Sequence, residues 1–313
     1  MAGSTSSESV RERYDLEEPT LMDRLRENWI GYVFIAPVFI MFVGLFYIPI
    51  LRGIWMSFMN YSLGGGGTFV GLENYRWVLT NDLFVYSVGW TLVFVFTTTL
   101  LQLGVGLIAA LLLHELQDRW RDWGSAIIMS PYFAAPLASG VIWLWFLHPE
   151  FGALTRAFIE LGLDPIAFLS TGIWPFVSLI VAQTWHDYAY AAIIYGAALQ
   201  SIPREQYEAA AISGANRLRR FRDITLPHLL IPTIVILSIR TAYNISEFAQ
   251  PFELTGGGPG TKTTLLSILT YQVAYVNLNF SRAYVIGLAM MVISMTAAIF
   301  YVVAIREEED LYI

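Results

Sequence analysis

The chain contains no cysteine among its 313 residues, so disulfides, thiol nucleophiles and Cys-ligated metal sites are excluded. Lysine is nearly absent as well: Lys262 stands alone beside 17 arginines, a bias that either salt adaptation or GC-rich codon usage produces. Charge of any kind is scarce. Asp, Glu, Lys and Arg make up 14% of the residues, against roughly 25% in a soluble domain. With 56% hydrophobic residues and a mean hydropathy of +0.55, the polar surface cannot cover a water-soluble globule of this length. The net charge of −7 argues against a polyanion as partner, nucleic acid included. The four histidines, His114, His148, His186 and His228, are scattered, and no HExxH pair or Ser/His/Asp grouping offers a catalytic or metal site. Although His186 and Asp187 are neighbours, adjacent helical residues point in different directions, so a joint site is not expected of them.

What is present is a set of long apolar runs. A spanning helix needs about 20 apolar residues at 1.5 Å each to cross a core roughly 30 Å thick. Residues 28–51, 83–114, 123–149 and 283–305 meet that length with no Asp, Glu, Lys or Arg. The second run is over-long and predicts tilt or protrusion. Pro131 and Pro136 predict a kink in the third. Two further runs tolerate internal charge: residues 172–199 hold Asp187, and residues 228–251 hold Arg240 and Glu247. This gives an all-α polytopic membrane protein with six spans. The acid-rich leader is unlike the short basic start of a signal peptide, so the first run reads as an uncleaved span. Placing the N-terminus inside puts twelve basic residues on the cytoplasmic side and five outside, which predicts that both termini are cytoplasmic. The chain thus divides into an acidic cytoplasmic segment (1–28), a transmembrane region (29–305) and a cytoplasmic tail (306–313). Gly64 to Gly67 form a flexible outer patch. Residues 150–171 and 265–280 are semi-apolar and predict short interfacial helices.

The longest cytoplasmic loop, residues 201–227, carries the most information. Pro203 suits a helix start, since its missing N–H is not needed there. Residues Ala209 to Ile212 favour helix, and Gly214 can adopt the left-handed conformation that ends it and permits a sharp turn. A second, basic helix follows, up to Pro227. Two short helices at an angle make a rigid knob suited to a partner's cleft.

The run Glu208-Ala209-Ala210, then Gly214 and Ile224-x-Leu226-Pro227, resembles the EAA loop of permease subunits in binding-protein-dependent ABC importers. Residues Phe69 to Tyr75, Leu199 to Pro203 and Leu254 to Pro259 are similar to the carbohydrate branch, the maltose-type and glycerol-phosphate-type permeases. The resemblance covers roughly residues 29 to 305 in order. One departure is Ser213, where the family usually has Asp before the loop glycine. The resemblance implies a type I ABC importer permease fold and a non-catalytic subunit that moves a sugar or related polar solute. It implies coupling through Glu208, Ala209, Ala210, Gly214, Leu226 and Pro227 to a dimer of ATP-binding subunits. ATP and Mg would be used there, with no cofactor on this chain. It also implies a second homologous permease subunit and an extracytoplasmic solute-binding protein.

Gly256 to Thr263 nearly match a phosphate-cradling loop, with Thr261 where its second glycine should stand. That motif needs a preceding strand, a following helix and cytoplasmic ATP, whereas this segment falls on the predicted outer face.

Intramembrane charge is costly and faces a cavity or a partner. Arg240, Tyr243, Asn244 and Glu247 share one stripe of the fifth span, and two readings stand: a structural pair of Arg240 with Glu247 or Asp187, or a lining of the solute path. Tyr188 and Tyr190, with Tyr243 and Asn244, offer the aromatic faces and hydrogen-bonding tips that sugars favour. A secondary transporter would show inverted repeats, and a membrane hydrolase would show a nucleophile or metal constellation; the sequence displays neither.

Overall fold

A helix that is apolar on every side satisfies its backbone internally and has no face to give to water. The computed structural model, which describes residue 22, residues 26–61 and residues 66–309, is built from such helices. The predicted acidic segment before Arg26, the glycines at 64 and 65 and the last four residues lie outside the described residues, Met22 excepted. The chain divides between Trp55 and Met56 into a small N-terminal unit and a larger one. The small unit holds most of α1 (Trp29–Ser57), whose Trp29–Phe42 stretch has no polar face and whose ladder widens into a π-turn at Val43–Tyr47.

The larger unit opens with a two-residue hairpin, β1 (Met59–Asn60) pairing antiparallel with β2 (Thr68–Phe69), a feature too short for any sequence periodicity. Then come α2 (Glu73–Leu79) and α3 (Asp82–Glu115), which starts under an Asn81 cap that accepts from the Phe84 amide. At 34 residues α3 is about 51 Å long, well beyond the hydrocarbon core. α4 (Asp118–Met129) leads through a 3₁₀ turn (Ser130–Phe133) to α5 (Pro136–Phe146). The segments Arg119–Phe133 and Pro136–Phe146 meet at 95°. The expected kink is therefore a full elbow. The break in the ladder has a local cause: Ala135 precedes a proline and is pushed to extended backbone, as is Ala134, and Pro136 has no N–H to continue the helix.

After α6 (Ala153–Glu160), the long α7 (Trp174–Ser201) packs along α3. The approach is close because Gly106 lies against the Ala191–Ala192 backbone of α7, where a Cβ would stand 2.5 Å from the Ala191 Cβ. Lipid supplies no hydrophobic drive between helices, so small residues that admit backbone contact carry such interfaces. α8 (Arg204–Ile212) and α9 (Arg217–His228, with a π-turn at Phe221–Thr225) form the connecting loop. α9 meets α10 (Leu230–Ser246) at 57°. α11 (Ala249–Thr255), α12 (Leu266–Val276) and α13 (Phe280–Glu309) complete the chain.

Among the described residues, Trp29–Ser57, Asp82–Glu115 and Phe280–Val303 are each long and apolar enough to cross a membrane as single helices, and the two bent pairs qualify only together. Two expectations change. The fifth run is not one helix to Pro251, because Glu247 takes extended backbone (ψ 124°) and ends α10. The short helix near residues 265–280 is not a surface element: Leu266, Leu269 and Val273 are buried in one cluster with Val78, Phe84 and Ile286, and Ile268 is buried as well. Further along the unit, Phe94, Phe176, Leu179 and Ile245 form a second core, and Leu103, Ala191, Tyr195, Leu229 and Ile236 a third.

Candidate functional site

The loop predicted to couple is built by its glycine. Gly214 sits at φ +78°, its N–H bonded to the Ala211 carbonyl at 3.0 Å, while the Ala215 N–H reaches Ala210 at 2.9 Å. These two bonds are the Schellman closure of α8. Asn216 then caps α9 by accepting from the Arg219 amide at 2.8 Å. The Tyr207 hydroxyl meets the Thr225 hydroxyl at 2.9 Å and ties the two helices together. The resulting knob exposes Ile212 (89%) and Leu218 (75%) on either side of the turn. Glu208, Ala209, Leu226 and Pro227 are exposed, and Ala210 is half-buried. Ser213, at the departure from the family pattern, bonds back to the Ala209 carbonyl at 2.9 Å.

The Gly256–Thr263 segment does not form a phosphate cradle. A helix, α11, precedes it. Its hydroxyls turn inward, Thr263 to the Thr255 hydroxyl (2.8 Å) and the Gly258 carbonyl (2.7 Å), and Thr264 to the Gly257 carbonyl (3.2 Å). The amides of Gly257 and Gly258 are spent on Thr255.

The intramembrane charges form a buried polar knot. Arg240 donates to Asp187 through Nη2 and to Gln102 through Nε at 3.2 Å. Asn244, one turn on, accepts from Arg240 (3.3 Å) and donates to Thr99 (2.9 Å) and Gln102 (3.1 Å). Gln183 donates to Asp187 Oδ2 at 2.6 Å, and His186 Nδ1 meets Asp187 Oδ1 at 2.9 Å. Of the two structural partners open to Arg240, the structure has Asp187. Glu247 does not belong to the stripe, since the helix ends before it. His186 and Asp187, expected to diverge, do meet: Asp187 reaches back to its neighbour's ring.

Arg240, Asn244 and Asp187 are all at least 95% buried within the chain and face one another. Tyr243 is exposed (62%), and Tyr188 and Tyr190 are half-buried. The Arg240 guanidinium lies 5.8 Å from the ring centres of both Tyr190 and Tyr243. Thr99, Gln102 and Gln183 were missed because neutral polar residues do not interrupt an apolar run. For the two on α3, the available signal was the spacing of Thr98, Thr99 and Gln102, which share one side of a membrane helix.

Residues 102–307 match the family described as binding-protein-dependent transport system inner membrane component. The chain belongs to that family. The permease is 32% identical over 295 residues to the sulfoquinovosyl glycerol transport system permease protein SmoG of Agrobacterium fabrum, covering 91% of this chain and 93% of that one. It is 33% identical to the trehalose/maltose transport system permease protein MalF of Thermococcus litoralis (87% and 90% covered). It is likewise 33% identical to the sn-glycerol-3-phosphate transport system permease protein UgpA of Brucella abortus (85% and 92%). In fold it is similar to a chain of a bacterial ABC transporter involved in alginate import, with a TM-score of 0.80 over 92% of this chain and 98% of that one at 22% identity. It is an ABC importer permease of the carbohydrate branch, a multi-pass inner-membrane subunit that is not itself an enzyme.

Two of the permease motifs quoted from the sequence acquire a physical account. Asn74 is buried and donates to the carbonyls of Ser57 (2.9 Å) and Met59 (2.8 Å), fixing the start of the hairpin to α2. Tyr75 meets the Ser57 hydroxyl at 2.6 Å. The glycines after α11 turn the chain back: Gly256 and Gly257 have φ of +58° and +92°, and a Cβ on Gly257 would lie 2.9 Å from Thr264 Oγ1.

Proposed function

We propose that this permease carries a sugar or sugar-derived polar solute into the cell, driven by ATP hydrolysis in a separate pair of subunits docked on the 201–227 loop. The observation that carries this reading is the knob itself: a Schellman turn held at Gly214, two capped helices tied by Tyr207 and Thr225, and apolar tips at Ile212 and Leu218 left to a partner. The roles that name the relatives, permeases of trehalose/maltose, sulfoquinovosyl glycerol and sn-glycerol-3-phosphate transport systems, support the solute class. In this reading six membrane passages place both termini and the knob in the cytoplasm, as the distribution of arginine favours. A second homologous permease completes the pore, and an extracytoplasmic binding protein delivers the solute. ATP and Mg belong to the ATPase. Nucleotide-driven closure pulls on the knob and switches the pore between outward and inward access. An ion-gradient mechanism has no feature to favour it.

Gly214→Val tests the coupling. No atom lies within 4 Å of a Cβ at Gly214, so the strain comes from backbone alone, about 1–2 kcal/mol for the left-handed conformation. A β-branched side chain adds to it. The expected result is inserted, stable permease whose uptake falls at least tenfold while the ATPase dissociates or hydrolyses without transport. Wild-type uptake with normal ATPase co-purification overturns the coupling role.

Tyr243, the exposed member of the stripe, supplies a ring for stacking a pyranose, with Tyr190 on α7 sharing the Arg240 guanidinium beside it. Tyr243→Ala is expected to raise the half-saturating sugar concentration several-fold with complex yield unchanged; unaltered uptake places the solute elsewhere.

A further inference from the structure

At the elbow, Ala134 lies outside the helical ladder, and its carbonyl accepts from His186 Nε2 on α7 at 3.0 Å. The other ring nitrogen, Nδ1, lies 2.9 Å from Asp187 Oδ1. A carbonyl oxygen only accepts. An ionised carboxylate only accepts as well, and Asp187 is already receiving hydrogen bonds from Arg240 and Gln183 on its other oxygen. A neutral imidazole has one N–H and one lone pair, so it serves only one of these two acceptors. We propose that His186 is held as the doubly protonated imidazolium and that, donating both ways, it is the pin that fastens the α4–α5 elbow to the Asp187–Arg240 knot. This is a positioning role, and it holds whichever solute is carried.

The charges around the ring fit the assignment. Burial works against the charged ring, and Asp187 on α7 and Glu247 at the end of α10 are the carboxylates that act in its favour, with the Ala134 carbonyl. Arg240 on α10 is the opposing cation, and its guanidinium is turned onto Asp187 Oδ2, which leaves Oδ1 to the imidazole. Tyr132, from the 3₁₀ turn, contributes its ring at 6.2 Å. The histidine is 95% buried, so water does not substitute for a missing donor. The pin has a mechanical consequence. Two helices joined through extended residues have no intervening ladder to hold their angle, so the 95° bend depends on contacts from outside. The knot reaches it through one chain of bonds, from Thr99 and Gln102 on α3 through Asn244 and Arg240 on α10 to Asp187 and His186 on α7.

Two measurements on the assembled, reconstituted transporter test this. In the first, His114, His148 and His228 are replaced by Gln, leaving His186 as the sole histidine of the isotope-labelled permease, and its ring nitrogens are read by solid-state NMR at the pH of the uptake assay. Both nitrogens are expected to carry protons. A bare nitrogen overturns the assignment. In the second, spin labels on Trp123→Cys (α4) and Trp145→Cys (α5), both exposed positions in a chain with no other thiol, report the elbow's distance distribution with cysteine-free partner subunits. His186→Gln, which has only one nitrogen to donate from, is expected to broaden a narrow distribution and to lower uptake. An unchanged distribution in His186→Gln overturns the pin even where uptake falls. The NMR measurement leaves position 186 untouched, so it decides the matter should His186→Gln fail to assemble.

Discussion

Arg240→Ala is expected to abolish assembly of the permease, with complex yield falling by an order of magnitude or more. The guanidinium is buried and satisfies Asp187, Gln102 and Asn244 together. Removing one partner of a buried ion pair costs about 3–5 kcal/mol, and here it leaves the Asp187 carboxylate with His186 as its one remaining cationic neighbour. Against that, an isolated neutral hydrogen bond between membrane helices contributes only about 0.6 kcal/mol. The lost charge balance is therefore the larger effect, which the double variant isolates. Asp187→Leu with Arg240→Met removes both charges of the pair and keeps similar volume, and its yield is expected to exceed that of Arg240→Ala, short of full recovery because His186 and Gln183 lose Asp187 as an acceptor. Asn244→Ala, which leaves the ion pair in place, should be milder than Arg240→Ala. The measurement is detergent-solubilised complex yield for each variant, with the thermal midpoint alongside. Equal loss in the single and double variants would show that the knot matters for its hydrogen bonds and not for its charge balance.

Gly106→Ala is expected to be nearly as damaging as the charge variant, and Gly104→Ala to be harmless. The same methyl group is added two positions apart on α3. At Gly106 it would stand 2.5 Å from the Ala191 Cβ, 2.9 Å from the Tyr188 carbonyl and 3.0 Å from the Ala192 nitrogen. Two of those contacts are backbone, so no rotamer change relieves them, and α3 and α7 must separate. Overpacking costs about 1–3 kcal/mol where side chains can move, and a rigid backbone contact belongs at the upper end or beyond. At Gly104 nothing lies within 4 Å, and Ala in a helix is favoured over Gly by about 0.5–1 kcal/mol. Thermal unfolding of the two variants is expected to shift in opposite directions. A shared small shift would mean that the helices sit farther apart than the structure has them.

The elements legible in the sequence were those whose cause is local. The apolar runs that became α1, α3 and α13 needed only length and composition. Gly214 announced its turn because a left-handed residue between two helix-favouring runs is a requirement of the backbone itself, and the Schellman bonds span only six residues. Pro131 and Pro136 announced a kink for the same reason. Its size was not legible, because the angle between two helices joined by extended residues is set by what they pack against.

What the sequence by itself determined, then, is a polytopic helical membrane protein with a two-helix turn at 201–227, since apolarity, glycine and proline act on their own neighbourhood. Only the tertiary structure decided that Arg240 pairs with Asp187, 53 residues away, and that Asn244 bonds to Thr99 at a separation of 145. It also decided that Glu247 leaves the stripe and that the short helix after the glycine turn is buried. A polar side chain in an apolar span must find a partner, and the sequence shows that need. Which partner it finds depends on which helices lie side by side, and here small residues such as Gly106, by allowing α3 and α7 to touch, help to set that arrangement.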